Sequence, residues 1–207
     1  MAYSLEQIAS LIGAKHIGNQ DSKIDWILTD SRSLCFPEES LFFALKSNRN
    51  DGHHYIPELY QRGVRNFVVS APPQDMSRYA DANFLVVLDP LKALQRLAER
   101  HREAFNIPII GITGSNGKTV VKEWLYQILS DNYVIARSPR SYNSQIGVPL
   151  SIWNLNAQTE LGIFEAGISQ CGEMEALQTI IQPQYGIFTS LGNAHQENFV
   201  SMDEKCH

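Results

Sequence analysis

Residues 109–119 constrain the fold of this chain more than any other segment of its sequence. They form a run of β-branched residues, a turn with glycine at 114 and 117, and then Lys118-Thr119 at the start of a helical pattern. Glycines let successive backbone N–H groups turn inward around phosphate oxygens, and a helix N-terminus adds partial positive charge. The order strand, turn, helix therefore predicts a phosphate-binding loop within an α/β domain.

The residues of this loop predict how a nucleoside triphosphate would be held. Lys118 would neutralise the β- and γ-phosphates, and the Thr119 hydroxyl would reach Mg²⁺. Ile112 stands where the general pattern has its first glycine, so an ordinary glycine-rich turn and an unrelated P-loop kinase or GTPase remain alternatives. The predicted ATP-binding residues are Thr113, Gly114, Ser115, Asn116, Gly117, Lys118 and Thr119.

Composition narrows the class of protein. The chain has 207 residues, 43% of them hydrophobic and 19% charged, with a formal net charge of −5. These values fit one large or two small globular domains and predict no general affinity for nucleic acid or an anionic membrane. No apolar run is long enough to span a bilayer, and the first 13 residues do not resemble a signal peptide. Three widely spaced cysteines (Cys35, Cys171 and Cys206) indicate a reducing, cytoplasmic location.

Alternating patterns of apolar residues predict two α/β domains. Residues 1–88 read as a small mixed α/β domain, starting with a capping box at Ser4 and a short helix. Asp89-Pro90 opens a long helix, and from Pro108 onward strands and helices alternate as in a mostly parallel sheet. We therefore place the domain boundary between residues 88 and 89, with the second domain over 89–207.

Two groups of histidines have structural interpretations. His101 falls on the apolar stripe of the long helix, and we interpret it as a partly covered position. Asp51, His53 and His54 could suggest a metal site, but a solvated loop is the simpler interpretation. His195-Gln196-Glu197 lacks the cysteines that a zinc deaminase requires downstream, so that class is excluded.

Seven segments of the chain carry motifs that occur together in one family: residues 29–32, 41–45, 51–53, 113–119, 142–150, 164–167 and 192–199. These segments resemble those of the Mur ligases, ATP-dependent amide-forming enzymes of bacterial cell-wall synthesis. The resemblance extends over essentially the whole chain and in the family's order. Within the family, the Asn-containing segment (142–150) and the Ala-His-x-Glu-x-Phe form (within 192–199) are most like the ligase that adds D-alanyl-D-alanine.

The resemblance implies a reaction and a role for each matched residue. ATP would phosphorylate the terminal carboxylate of UDP-N-acetylmuramoyl-tripeptide, and the amine of D-alanyl-D-alanine would attack the acyl phosphate. The implied catalytic residues are Lys118, Asn143 and His195, and the implied Mg²⁺ ligands are Thr119, Glu165 and His195. The implied substrate-binding residues are Ser31, Arg32, Leu45, Asn143 and Ser144, with Ser144 where the family usually has a second Asn.

The resemblance also implies an incomplete ligase. Residues 1–88 would be the uridine-nucleotide-binding domain, and 89–207 an ATP-binding central domain without its end or the third domain that follows in the family. On its own, such a chain is expected to bind nucleotides without ligating. A different Mur ligase, a ligase like folylpolyglutamate synthetase, and fusion of the full-length protein to alanine racemase all stay open.

Overall fold

The computed structural model describes residues 2–18, 20–167 and 172–192 of the chain. The chain separates into two compact units, Met1–Leu97 and Ala98–His207. The division falls inside helix α3 (Pro90–Glu103), whereas the predicted domain boundary lies just before that helix. The domain limits 1–88 and 89–207 therefore stay a prediction.

The first unit is built on a five-stranded sheet with the order β2-β7-β6-β5-β4. Neighbouring strands are parallel except for β2, which runs antiparallel to β7. Its strands are β2 (Lys15–Ile17), β4 (Trp26–Leu28), β5 (Ser40–Phe43), β6 (Asn66–Val69) and β7 (Asn83–Val86). A separate two-stranded sheet pairs β1 (Tyr3–Ser4) with β3 (Lys23–Ile24), and Asp25 separates β3 from β4.

The helices of the first unit follow local sequence signals. Helix α1 (Leu5–Ile12) has the predicted capping box, in which Ser4 and Gln7 exchange backbone and side-chain hydrogen bonds. Helix α2 (Ile56–Gln61) is short, and its packing partner is an aromatic core on the sheet. In that core the rings of Phe67 and Phe84 stack at 5.4 Å between centroids. Apolar burial on this scale is the main source of stability for a unit of this size.

The second unit contains a four-stranded, all-parallel sheet with the order β11-β8-β10-β9. The strands are β8 (Ile109–Thr113), β9 (Ile135–Arg137), β10 (Leu161–Glu165) and β11 (Tyr185–Phe188), and the helices are α4 (Lys118–Leu129), α5 (Gly147–Ile152) and α6 (Glu173–Ile181). The predicted fold class, a mixed α/β unit followed by a mostly parallel one, is confirmed. All four strands direct their carboxyl ends to one edge of the sheet, where ligand sites of such folds lie.

Helix length gives one further result. Within the ranges that the structure describes, none of the helices is both long and apolar enough to cross a membrane.

His101 is more deeply buried than the sequence predicted. Only 1% of the residue is exposed to solvent, and its ring packs edge-on against Phe105 and at a tilt against Trp153. Its Nε2 lies 3.1 Å from the carbonyl oxygen of Leu155, with donor and acceptor set by the tautomer. Burial lowers the pKa of His101 to about 4 because the charged imidazolium is poorly solvated there.

This depressed pKa predicts a pH-dependent stability. An unfolded histidine has a pKa of about 6.5. Between this value and about 4, His101 binds a proton in the unfolded chain but not in the folded one, so the free energy of unfolding falls as the pH is lowered. We expect His101→Gln to remove on the order of 3 kcal/mol from the change in unfolding free energy between pH 7 and pH 4. Urea unfolding at several pH values measures the free energy of unfolding of the wild type and of His101→Gln. His54→Gln, which replaces an exposed histidine, is the control. Parallel pH profiles for the wild type and His101→Gln would contradict the assignment.

Candidate functional site

The glycine-rich loop joins β8 directly to α4, in the order that the sequence predicted. Gly114 has φ +129° and Gly117 has φ +83°, backbone angles that residues with a Cβ rarely adopt. Gly117 caps helix α4 without any side-chain hydrogen bond to the first turn. The first N–H groups of a helix have no partner within it, so this end of α4 presents donors and partial positive charge to an anion.

A segment after β11 holds the loop in place. Ser115 N donates to Ser190 O at 2.8 Å, and the Thr189 hydroxyl donates to Asn116 O at 2.6 Å. Ser115 Oγ also lies 3.0 Å from Gly192 O and 2.9 Å from Gly192 N. The sequence analysis missed this support, because residues more than 70 positions apart give no local signal.

Lys118 is the first residue of α4, and its side chain folds back onto the loop. Its Nζ donates to Gly114 O at 2.6 Å. The ammonium group therefore lies near the N-terminus of α4. The two sources of positive charge therefore act at one place, as a phosphate site requires.

Thr119 and Glu165 meet across the sheet. Thr119 begins α4 with Lys118, and Glu165 is the last residue of β10, the neighbour of β8. The Thr119 hydroxyl donates to Glu165 Oε2 at 3.1 Å. Glu165 is fully buried, and its Oε1 accepts no hydrogen bond from any residue that the structure describes. The two predicted metal ligands are therefore adjacent.

A buried lysine that the sequence analysis did not single out stands behind this carboxylate. Lys122 lies one turn after Lys118 in α4 and is fully buried. Its Nζ is 2.9 Å from Glu165 Oε1, a distance typical of an ion pair, although the angle is not that of a hydrogen bond. A lysine on the apolar face of a helix breaks the expected pattern, and this was the available sequence signal.

Asn143 and Ser144 lie in the connection from β9 to α5. Asn143 O accepts a hydrogen bond from Gly167 N at 2.8 Å, which places this connection beside the end of β10. Ser144 Oγ accepts from Gly147 N at 3.2 Å, and Ser144 O from Val148 N at 2.9 Å, at the start of α5. Ser144 thus supports the helix start, while Asn143 is the member of the pair close to Glu165 in the fold.

The predicted uridine-nucleotide residues lie in the first unit. Strands β4 and β5 are parallel neighbours, so Ser31-Arg32 and Leu45, which follow them, come to the same edge of that sheet. Ser31 is buried and its carbonyl accepts from Arg62 Nη1 at 2.8 Å. The side chain of Arg32 is 89% exposed.

Arg32 already has an anionic partner. Its Nε and Nη2 donate to both carboxylate oxygens of Asp30, with Nη2 to Oδ2 at 2.6 Å. The guanidinium of Arg32 lowers the pKa of Asp30 to about 2, first through these side-chain hydrogen bonds and next through the Arg32 backbone N–H. The two-pronged pairing suits a diphosphate equally well, so a ligand would share or displace Asp30.

The loop containing Asp51 and His53 is an ordered turn rather than a solvated one. Ser70 N donates to His53 Nε2 at 3.0 Å, so the ring proton is on Nδ1, which lies 2.6 Å from Asp51 Oδ1. The backbone N–H and ring of His53 hold the pKa of Asp51 at about 2. Among the residues that the structure describes, no three metal-binding side chains cluster.

The structure groups the predicted residues into two sets, one in each unit. Thr113 to Thr119, Asn143, Ser144 and Glu165 lie around the carboxyl edge of the second sheet, and Ser31, Arg32 and Leu45 around that of the first. His195 lies outside the described residues, as do Cys171 and Cys206. Its predicted roles as catalytic residue and metal ligand stay predictions.

Comparison with known proteins relates both units to the Mur ligases. Residues 112–205 match the family model of the Mur ligase middle domain, and residues 23–102 match that of the Mur ligase family, catalytic domain. Among curated proteins, the chain is 36% identical to the UDP-N-acetylmuramoyl-tripeptide--D-alanyl-D-alanine ligase of Borreliella burgdorferi, over 89% of this chain and 41% of that protein. It is 30% identical to the Bacillus subtilis ligase of the same name, over 89% and 39%.

Solved structures give the same result. MurF from Acinetobacter baumannii aligns with a TM-score of 0.89 and 28% identity, over 100% of this chain and 45% of that one. MurF from Thermotoga maritima, in complex with ADP, aligns with a TM-score of 0.74 and 28% identity, over 86% and 40%. The chain thus spans less than half the length of these relatives. Both Mur ligase family models match the chain, and the relatives named above align with most of its length. The chain therefore belongs to the Mur ligase family.

Proposed function

We propose that this chain provides the uridine-nucleotide-binding and ATP-binding parts of a ligase that joins D-alanyl-D-alanine to UDP-N-acetylmuramoyl-tripeptide. The observation that carries the proposal is the contact between Thr119 and Glu165 beside the glycine-rich loop. A hydroxyl and a buried carboxylate at the N-terminus of a helix suit a nucleotide with its metal ion better than any other ligand class. The relatives named for this reaction supply the substrate assignment.

The proposed reaction transfers a phosphoryl group between two anions and then forms an amide. The terminal carboxylate of the tripeptide attacks the γ-phosphate of ATP, and ADP leaves. The amine of D-alanyl-D-alanine then attacks the acyl phosphate, and inorganic phosphate leaves. Because charge builds up on the transferred group, cationic neutralisation is the main contribution that a protein can make. Lys118 and the first N–H groups of α4 fill that role.

The donor atoms at this edge fit Mg²⁺. Thr119 Oγ1 and Glu165 Oε2 are hard oxygen donors 3.1 Å apart. When bound, Mg²⁺ would supply positive charge that offsets the negative charge of the phosphates. Thr119 and Glu165 would hold it, while a contribution of His195 rests on the resemblance alone.

The first unit would bind the uridine diphosphate. Ser31, Arg32 and Leu45 share one sheet edge, and Arg32 offers a guanidinium fork of the right shape. Asn143 and Ser144, in the second unit, are the other proposed substrate-binding residues. The number and wide spacing of the cysteines support a cytoplasmic location for the reaction. Fusion of the whole protein to alanine racemase stays a prediction.

Replacing Arg32 by alanine is expected to weaken binding of UDP-N-acetylmuramoyl-tripeptide about 10-fold, the loss of one charge-assisted pair. The turn should survive, because Asp30 Oδ1 still accepts the backbone N–H at position 32. Isothermal titration calorimetry measures the affinity, and Arg78→Ala removes an exposed arginine elsewhere in the same unit as a control. Equal affinities for the wild type and Arg32→Ala would rule out this role.

The proposal as a whole is tested by the ligands that the 207-residue chain binds. We expect MgADP to bind more tightly than ADP without metal, and UDP-N-acetylmuramoyl-tripeptide to bind more tightly than UDP-glucose. Rapid hydrolysis of ATP or GTP without the muropeptide would favour a P-loop kinase or GTPase instead. Binding of neither nucleotide class would refute the proposal.

A further inference from the structure

Lys122 contributes its ammonium group to a site where four oxygen atoms converge. Nζ lies 2.9 Å from Glu165 Oε1, donates to Ser138 O at 2.8 Å, and also donates to Arg140 O. Glu123 Oε1 is the fourth, at 3.3 Å. Lys122 and Glu165 are each fully buried. A buried charge is tolerated only where such partners surround it, so the buried Lys122 and Glu165 depend on each other for their positions.

The same lysine also organises the connection that leads to Asn143. Ser138 and Arg140, whose carbonyls it binds, follow β9, and Ser138 Oγ accepts the N–H of Glu165 at 3.1 Å. Arg140 has φ 51°, a left-handed conformation that costs energy outside glycine. Its carbonyl nevertheless meets Lys122. One ammonium group thus ties the end of β10, which carries Glu165, to the segment that carries Asn143.

We propose that Lys122 is a positioning residue, which holds Glu165 in the orientation that faces Thr119 and fixes residues 138–143 beside it. The inference rests on the proposed function, in which Glu165 is a ligand of the nucleotide's Mg²⁺. Lys122 does not touch the nucleotide. It acts by taking Glu165 Oε1 as an ion-pair partner, which leaves Oε2 directed to Thr119 and the metal.

Electrostatics alone predicts the opposite of positioning. A lysine cation close to a metal site repels Mg²⁺, so removing it should tighten metal binding if charge were its only influence. Positioning predicts weaker metal binding, because Glu165 would lose the partner that orients it. The sign of the change therefore separates the two roles.

The test measures ADP affinity of the 207-residue chain at increasing Mg²⁺ by calorimetry, together with its thermal unfolding. Mg²⁺ is expected to increase the affinity of the chain for ADP. For Lys122→Met, we expect the Mg²⁺ concentration that gives half of this increase to rise at least about 10-fold, while the affinity for ADP without metal stays within threefold of the wild type. Glu123→Gln, which alters a neighbouring contact of Lys122 but leaves Glu165 intact, should keep the wild-type Mg²⁺ dependence.

Lys122→Arg decides the matter if Lys122→Met does not fold. It keeps the charge but displaces it from the oxygens of Glu165, Ser138 and Arg140, so a several-fold rise in the Mg²⁺ requirement is expected without unfolding. Unchanged or tighter Mg²⁺ dependence in the folded variants would overturn the inference. Failure of the wild type to bind MgADP would instead contradict the proposed function, so the two failures can be told apart.

Discussion

Lys118→Ala is expected to lower the affinity of the chain for MgADP about 100-fold. The ammonium group is the only side-chain cation within the loop 113–119, and a hydrogen bond to a charged group contributes up to about 3 kcal/mol. The substitution also removes the hydrogen bond from Nζ to Gly114 O, so a modest loss of stability is expected as well. Calorimetric titration with MgADP measures the affinity, and thermal unfolding measures the stability.

The control for this prediction is Lys92→Ala, which removes an exposed lysine near the start of α3. It should leave MgADP affinity unchanged. If Lys118→Ala were folded and bound MgADP within threefold of the wild type, the loop would not be the nucleotide site. A loss of binding that accompanies complete unfolding would instead require the more conservative Lys118→Arg.

Gly114→Ala is expected to damage both the stability of the second unit and its nucleotide site. A Cβ at Gly114 would overlap Thr189 Oγ1 and come within 2.9 Å of the backbone N and O of Ser190. The backbone at φ +129° is also strained for alanine. Overpacking and backbone strain each cost about 1–3 kcal/mol, so we expect a total loss of at least about 2 kcal/mol.

Chemical unfolding of the chain measures this loss, and MgADP titration measures the effect on the site. Gly186→Ala is the matched control, because a Cβ at this β11 position meets no atom within 4 Å and its φ is not positive. It should change stability by less than about 1 kcal/mol. Equal stability of the two variants would show that the loop is not held against residues 189–190 in the way described.

The features predicted from the sequence are those with local causes. The capping box at Ser4 involves atoms three residues apart. The cap of α3 is equally local, with Asp89 Oδ1 accepting from Leu91 N at 2.8 Å. The glycine-rich turn could be read because only glycine tolerates its conformations, and because the strand before it and the helix after it have clear periods. Fold class followed from this alternation.

The features that were missed or underestimated depend on distant residues. Lys122 interrupts the apolar face of α4 in the sequence, but its partners are known only once the segments that contain Ser138 and Glu165 are placed around it. His101 was expected to be partly covered, but Trp153 and Leu155 bury it completely. Antiparallel β2 was not predicted, because three residues with two polar side chains carry no strand signal until β7 pairs with them.

The sequence by itself determined which residues form the glycine-rich loop, because backbone conformation there depends on glycines and on neighbours within one turn. It also determined the family, because several short motifs occur in one order. Only the tertiary structure decided which of the candidate residues lie close together. Parallel pairing of β8 with β10 brings Thr119 to Glu165, and the carbonyls after β9 bury Lys122 beside them. Such contacts arise from the packing of strands and helices far apart in the chain, which local propensities do not encode.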